Sequence, residues 1–253
     1  MAASAEGRPE GQILDLEAIA GALNELARHP SALPGDRRAL SEPEVRRLVD
    51  GYAYVDWLLA HGVNPLDLGG SGHLLELNHR VLNGVTPERR RQYRNHLETT
   101  ENHFYTNHGG GADAFYDWVD RNRDQPPRRF AAGMIVRMVS TPQLFLEGNQ
   151  RTAALAASLV LVRGGLSPLV MTVTNAARLS RALAVGKAVD RRAWTAFWRL
   201  RRAQRALEIG FDPARGARFL AGPPNRFETL SRPAAPSHDP GCRRRRHGQG
   251  GSG

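Results

Sequence analysis

The residues whose types and spacing could do chemistry fall in one window, Thr141-Pro142-Gln143-Leu144-Phe145-Leu146-Glu147-Gly148-Asn149-Gln150-Arg151-Thr152, between two apolar stretches. A loop that runs into a helix N-terminus offers unpaired backbone N–H groups and the positive end of the helix dipole to an anion. Gly148 permits close backbone approach, Asn149 supplies an amide donor, Arg151 a planar fork suited to phosphate oxygens, and Glu147 a carboxylate oxygen for a divalent cation. Together these roles describe a phosphate cradle. The plainer alternative is a Gly-Asn turn that caps a helix, with Arg151 on a surface carboxylate.

Other candidates carry less. His96, His103 and His108 lie close in sequence, but no His-Glu-x-x-His motif or carboxylate spacing accompanies them, so a surface or loop role outweighs a metal site. Gly109 to Gly111 lack a preceding strand and a following Gly-Lys-Ser/Thr, and they fit a flexible linker. The stretch Trp194 to Arg205 could contact nucleic-acid phosphates. It is expected instead to pack through Trp194, Phe197, Trp198 and Leu200, with Arg201, Arg202 and Arg205 in water. The run Arg243 to Arg246 would attract any polyanion without specificity.

The elements that must position the window are helical. Leu16, Ile19, Ala20, Leu23 and Leu26 give an amphipathic helix over residues 13 to 26. Ser41-Glu42-Pro43-Glu44 has the form of a capping box and opens a helix to Ala60, whose apolar positions are Val45, Leu48, Val49, Tyr52, Val55 and Leu59. Another helix is expected from His73 to Leu82. Residues Thr86 to His108 are rich in Thr and aromatics and predict a short β-hairpin or extended flap. Helices follow over Ala112 to Asn122 and Arg128 to Ser140, and the run Arg151 to Val162 predicts a central, buried helix. A short strand is expected near residues 166 to 174, then helices around 175 to 183 and 191 to 206.

The chain has 253 residues, enough to bury a proper core, and 41% hydrophobic residues with 24% charged ones indicate a folded centre. The expected fold class is all-α with a small β-hairpin flap. The expected organisation is a disordered N-terminus (1–12), an N-terminal helical extension (13–72), a main helical domain (73–222) and a disordered Arg/Gly/Pro-rich tail (223–253). No secretory signal or long apolar run is present, which points to the cytoplasm and no membrane. The single cysteine, Cys242, excludes an internal disulfide framework and a cysteine-rich zinc site. Net charge is +10, but residues 1 to 180 carry 19 Arg against 20 acids, so the basic excess is C-terminal. With 34 Arg to one Lys, part of that excess is compositional.

The window resembles the signature loop of the Fic/Doc (Fido) family, whose pattern is His-Pro-Phe-x-Asp/Glu-Gly-Asn-Gly/Lys-Arg-x-x-Arg. Phe145, Glu147, Gly148, Asn149 and Arg151 match. A helix containing Met134 and Met138 leads in, a long apolar helix leads out, and Gly164-Gly165-Leu166-Ser167-Pro168 stands where the family has a Gly-aromatic-Pro turn. Tyr93-Arg94 and the segment after it occupy the place of the family's target-positioning flap. The resemblance covers roughly residues 73 to 205 and implies a Fido-like helical bundle.

By that resemblance the loop would bind Mg²⁺ and ATP and transfer AMP, or another phosphate-containing group, to a Ser, Thr or Tyr hydroxyl of a target protein. Glu147 would hold the metal, and Gly148, Asn149, Gln150 and Arg151 the nucleotide. Gln143 stands where the family has its general-base His, Leu144 where it has Pro, Gln150 where it has Gly or Lys, and Ala154 where it has the final Arg. Gln accepts no proton near neutral pH, and general-base assistance is worth about 10² to 10⁴ in rate. Three readings follow: a transferase in which His103 or His108 takes the base role, a pseudoenzyme that keeps a nucleotide or anion site, and a loop for another anionic ligand. A nucleic-acid-binding module ranks behind these, and nucleic acid is not an expected partner.

Overall fold

The computed structural model describes residues 13–34, 39–107, 110–211 and 216–222. The two ends expected to be disordered, 1–12 and 223–253, lie outside the described residues, as do Cys242 and the run Arg243 to Arg246. The described chain is all-α. In order the helices are α1 (Leu16–Arg28), α2 (Glu42–Ala60), α3 (Ser71–Asn83), α4 (Pro87–Gln92), α5 (Arg94–Thr106), α6 (Ala112–Asn122), α7 (Pro127–Val139), α8 (Asn149–Arg163), α9 (Ala176–Lys187) and α10 (Ala196–Gly210). No helix among them is long and apolar enough to cross a membrane.

The centre is α8, which buries residues on nearly every side, from Thr152 and Ala153 to Leu161 and Val162. It packs on α7, α2 and α3, while α10 lies on α9 and α7, and α1 lies on α2. The hydrophobic core runs continuously across the expected boundary at residue 72, from Leu14 and Val55 to Leu159 and Leu207. The capping box is present: Glu44 accepts from the Ser41 N–H at 3.0 Å and from its hydroxyl at 2.8 Å. At the other face of the core, Tyr52 of α2 donates its hydroxyl to the Leu169 carbonyl at 2.6 Å, and burial raises its pKa. Ser158 of α8 accepts from the Leu169 N–H at 3.0 Å and lies 3.1 Å from the same carbonyl. Because Ser158 can serve the Leu169 carbonyl when the phenol is removed, Tyr52→Phe is expected to cost only about 1 kcal/mol in urea unfolding.

Three local expectations are corrected. The β-hairpin flap over Thr86 to His108 is instead the helix pair α4 and α5, and no strand occurs among the described residues, only isolated bridges at Leu14–Leu220 and Thr141–Asp190. Helix α5 forms although its residues are poor helix formers, because Phe104 is fully buried and stacks on Phe145 at 5.1 Å. The Thr99 and Thr106 hydroxyls bond back to the carbonyls of Asn95 and Asn102, so their polar groups are satisfied inside the helix. The expected strand near residues 166 to 174 is irregular chain fixed by Asn175, which accepts from Thr172 N and donates to the Val170 carbonyl. Finally, Trp194, Phe197 and Trp198 do not pack inward; α10 buries Ala196, Ala203, Leu207 and Gly210 instead.

Candidate functional site

The loop between α7 and α8 is held from both ends. Helix α7 ends at Val139, and the Arg191 guanidinium donates to the Arg137 and Ser140 carbonyls at 2.9 and 2.7 Å. Thr141 and Asp190 form a parallel bridge, with Thr141 N donating to Val189 O at 2.9 Å and Arg191 N to Thr141 O at 2.8 Å. Burial lowers the Arg191 pKa to about 10, with Arg137 adding repulsion. Sequence reasoning missed Arg191, since nothing in the local pattern distinguishes it from the arginines around it.

Within the loop, Leu144 and Phe145 are buried and Leu146 and Glu147 form an exposed tip. Asn149 is the clasp. Its Oδ1 accepts from Phe145 N at 2.9 Å, and its Nδ2 donates to Phe145 O at 2.7 Å and to Gln143 Oε1 at 3.1 Å. The Gln143 amide in turn donates to Val139 O at 3.2 Å. Gln143 and Asn149 therefore spend their amides on the loop itself.

Gly148 is the N-cap of α8, with φ 73° and ψ 2°, a left-handed conformation that L side chains rarely adopt. A Cβ there would sit 3.0 Å from Asn78 Nδ2 and 3.1 Å from Leu82 Cγ. Being Gly, this cap has no side chain to offer to the first-turn N–H groups of α8. Asn78 of α3, fully buried, donates to Glu147 O at 2.9 Å and to Thr152 Oγ1 at 3.0 Å and so ties the loop to α3. Its signal was present in the sequence as an amide on the apolar stripe of Leu74, Leu77 and Val81.

Helix α5 delivers His103 to the loop. His103 Nε2 lies 3.4 Å from the Gln143 carbonyl oxygen, and Asn107 Nδ2 lies 3.2 Å from both. His108 is outside the described residues. Gly110 and Gly111 belong to close packing rather than a free linker: the Gly111 N–H donates to Asn107 O at 2.7 Å, and a Cβ on Gly110 would meet Pro142.

The side chains expected to hold a metal (Glu147) and phosphates (Asn149 and Arg151) point three ways. Asn149 points inward, Glu147 stands at the tip, and Arg151 turns toward α2 and α3. Its Nη1 donates to Val81 O at 3.3 Å and lies 3.7 Å from Glu44 Oε1. Gln150, Arg151 and Ala154 border a cavity of about 420 Å³, with Glu44 and Lys187 as its other charged groups and an otherwise apolar wall that includes Leu48, Tyr52 and Met171. That volume is in the range of small-molecule sites. Among the described residues no group of three or more His, Cys, Asp or Glu could hold a metal ion. Mg²⁺ needs only one or two protein carboxylates when nucleotide phosphates complete its shell, so Glu147 alone is compatible with a metal that arrives on a nucleotide.

The arrangement thus sets one guanidinium, facing Glu44, on the wall of an apolar cavity, with one imidazole at the back of the loop. No protein-family model, no curated protein and no solved structure matches this chain.

Proposed function

We propose that the chain is a Fido-like protein that acts by binding a nucleotide or a similar phosphate ligand, with Gln150 and Arg151 on the phosphates and the apolar cavity around the remainder. The observation that carries this reading is the 420 Å³ cavity opening beside the uncapped first turn of α8, with a guanidinium on its wall. Binding without transfer is favoured because Gln143 replaces a base and is committed to Asn149 and Val139. Titration calorimetry with ATP, GTP, CTP, UTP and AMP in Mg²⁺ tests it. Saturable binding is expected, weakened at least about tenfold in Arg151→Ala by loss of charge-assisted bonds. In Glu44→Gln affinity should rise, because an anion no longer competes with that carboxylate. Absence of binding to every nucleotide overturns the proposal.

A second reading, AMP transfer from Mg-ATP to a protein hydroxyl with the α–β anhydride bond broken and pyrophosphate released, is favoured by one contact: His103 reaches the loop at Gln143. Here His103 would accept the hydroxyl proton, Glu147 would hold Mg²⁺, and the metal's contribution would be charge neutralisation on the transferring group. Label from the α-phosphate should then enter protein, fall by about 10² or more in His103→Ala, and rise in Gln143→His. Unlabelled protein with every nucleotide leaves the binding reading alone.

A further inference from the structure

Helix α10 presents an outward face that the fold does not use. Trp194 is 93% exposed, Trp198 74% and Phe197 56%, on a chain whose other large aromatics are mostly buried or half-buried. At about 100° per residue, Phe197, Arg201, Arg205, Trp198 and Arg202 fall within an arc of about 140°, opposite the buried stripe of Ala203 and Leu207. Aromatic rings and guanidinium groups are therefore interleaved on one surface rather than segregated. Phe197 and Trp198 pack edge to face at 5.2 Å, and the Arg201 guanidinium lies over the Phe197 ring at 5.2 Å. The indole of Trp194 stands almost entirely in water.

The arginines of this face lack the carboxylate partners that six arginines elsewhere have among the described residues. Arg46, Arg80, Arg90, Arg91, Arg94 and Arg123 each pair with a carboxylate within 3.3 Å. Arg201, Arg202 and Arg205 have no ion pair among the described residues, and Glu208 is the only acid within α10. An unneutralised basic stripe repels a second copy of itself and attracts a polyanion. Rings set among the cations add what a phosphate-only contact lacks, flat surfaces on which unpaired bases stack. Intermixing also argues against a lipid surface, which selects helices with aromatic and cationic residues on separate sides.

We infer that the outer face of α10, with Trp194 ahead of it, binds single-stranded nucleic acid, bases stacking on Trp194 and Trp198 while Arg201, Arg202 and Arg205 neutralise the backbone. This site lies on a different helix from the loop before α8 and stands whether or not that loop binds a nucleotide.

The test is fluorescence anisotropy of a labelled oligo(dT) and oligo(rU) of about 20 nucleotides, long enough for one site. It uses the full chain, the full chain with Arg243 to Arg246 changed to Ala, and two surface variants of the full chain. Single strands are expected to bind with a steep salt dependence and more tightly than duplex of equal length. Trp194→Ala with Trp198→Ala should weaken binding about tenfold or more at unchanged salt slope. Arg201→Ala with Arg202→Ala and Arg205→Ala should reduce that slope by about 2. All five side chains are on the surface, so circular dichroism and the thermal midpoint should match the unaltered chain. Three results overturn the inference. They are binding that depends on Arg243 to Arg246 and ignores both surface variants, no preference for single strands, and a dimer that Trp194→Ala with Trp198→Ala converts to monomer.

Discussion

Asn149→Ala is expected to lower the free energy of unfolding by about 3 kcal/mol, since an unmet buried donor or acceptor costs about 1–3 kcal/mol and two are created at once. The Asn149 side chain is the partner of both the N–H and the carbonyl of Phe145, at 2.9 and 2.7 Å, in a residue that is 5% exposed. Phe145 itself is fully buried against Phe104, so water has no easy route to replace the lost partners. Removal also frees Gln143 Oε1. The control is Gln150→Ala one position along, a partly buried side chain on the cavity wall, which should change stability by no more than about 0.5 kcal/mol. Urea unfolding followed by tryptophan fluorescence measures both. Equal midpoints for the two variants would refute the clasp.

A second large effect is expected from pH through His79 on α3. Burial pushes its pKa down to about 4, with Arg90 and His96 acting in the same direction and Glu76 opposing them, and its Nε2 is buried without a hydrogen-bond partner. The fold therefore requires a neutral ring, while the unfolded chain takes up a proton near the ordinary value of 6.5. Between those two values the unfolded state binds more protons, so stability is full above about pH 6.5 and declines as pH falls toward about 4. At 1.36 kcal/mol per unit, reduced because part of the ring still meets water, the decline from about pH 7 to about pH 5 is about 1.5 kcal/mol. Glu76, held low by Arg90 and Arg80 against the opposing effect of burial, loses its contribution only below the usual carboxylate range. Asp50 and Asp56, raised by burial, act in the opposite sense. Between about pH 5 and pH 7 the share of the slope that His79→Gln removes is the imidazole's. A slope that survives this substitution assigns the effect to another group.

Much of the fold was legible because hydrophobic spacing and helix punctuation agree. Val45, Leu48, Tyr52, Val55 and Leu59 line one side of α2, and Ser41 with Glu44 marks where it starts. The helix α5 was not legible, since Thr and aromatic residues have weak helix propensity and the deciding contact, Phe104 on Phe145, is 41 positions away. On α10 the sequence pointed the wrong way for a related reason. Aromatics three and four apart resemble a core stripe, whereas the stripe that packs is Ala196, Ala203, Leu207 and Gly210, whose small members let α10 lie close to α9 and α7.

The candidate site divides in the same manner. Gly148 and Asn149 could be picked from their types, and their place at the start of a buried helix is as expected. Their neighbours' directions could not, because successive residues of a helix diverge by about 100°, which sends Asn149 into the loop and Arg151 toward Glu44. Asn78 comes from α3 and Asn107 from the C-cap of α5, and no local motif announces a partner contributed from so far along the chain.

The described chain also closes on itself. Leu14 bridges Leu220, Asp15 N donates to Phe219 O at 2.9 Å, Ala221 N donates to Ile13 O at 2.8 Å, and Asp56 Oδ1 accepts from both Ile13 N and Leu14 N. In topological terms positions 13 and 221 are neighbours, so the helical body is nearly a ring cut at one place. A short peptide could join them while new termini were opened at an exposed loop, and the packing order of the helices would survive the change in chain order. Both edges of this seam sit beside α2, where one carboxylate, Asp56, fixes the stretch of chain that meets residues 219 to 221.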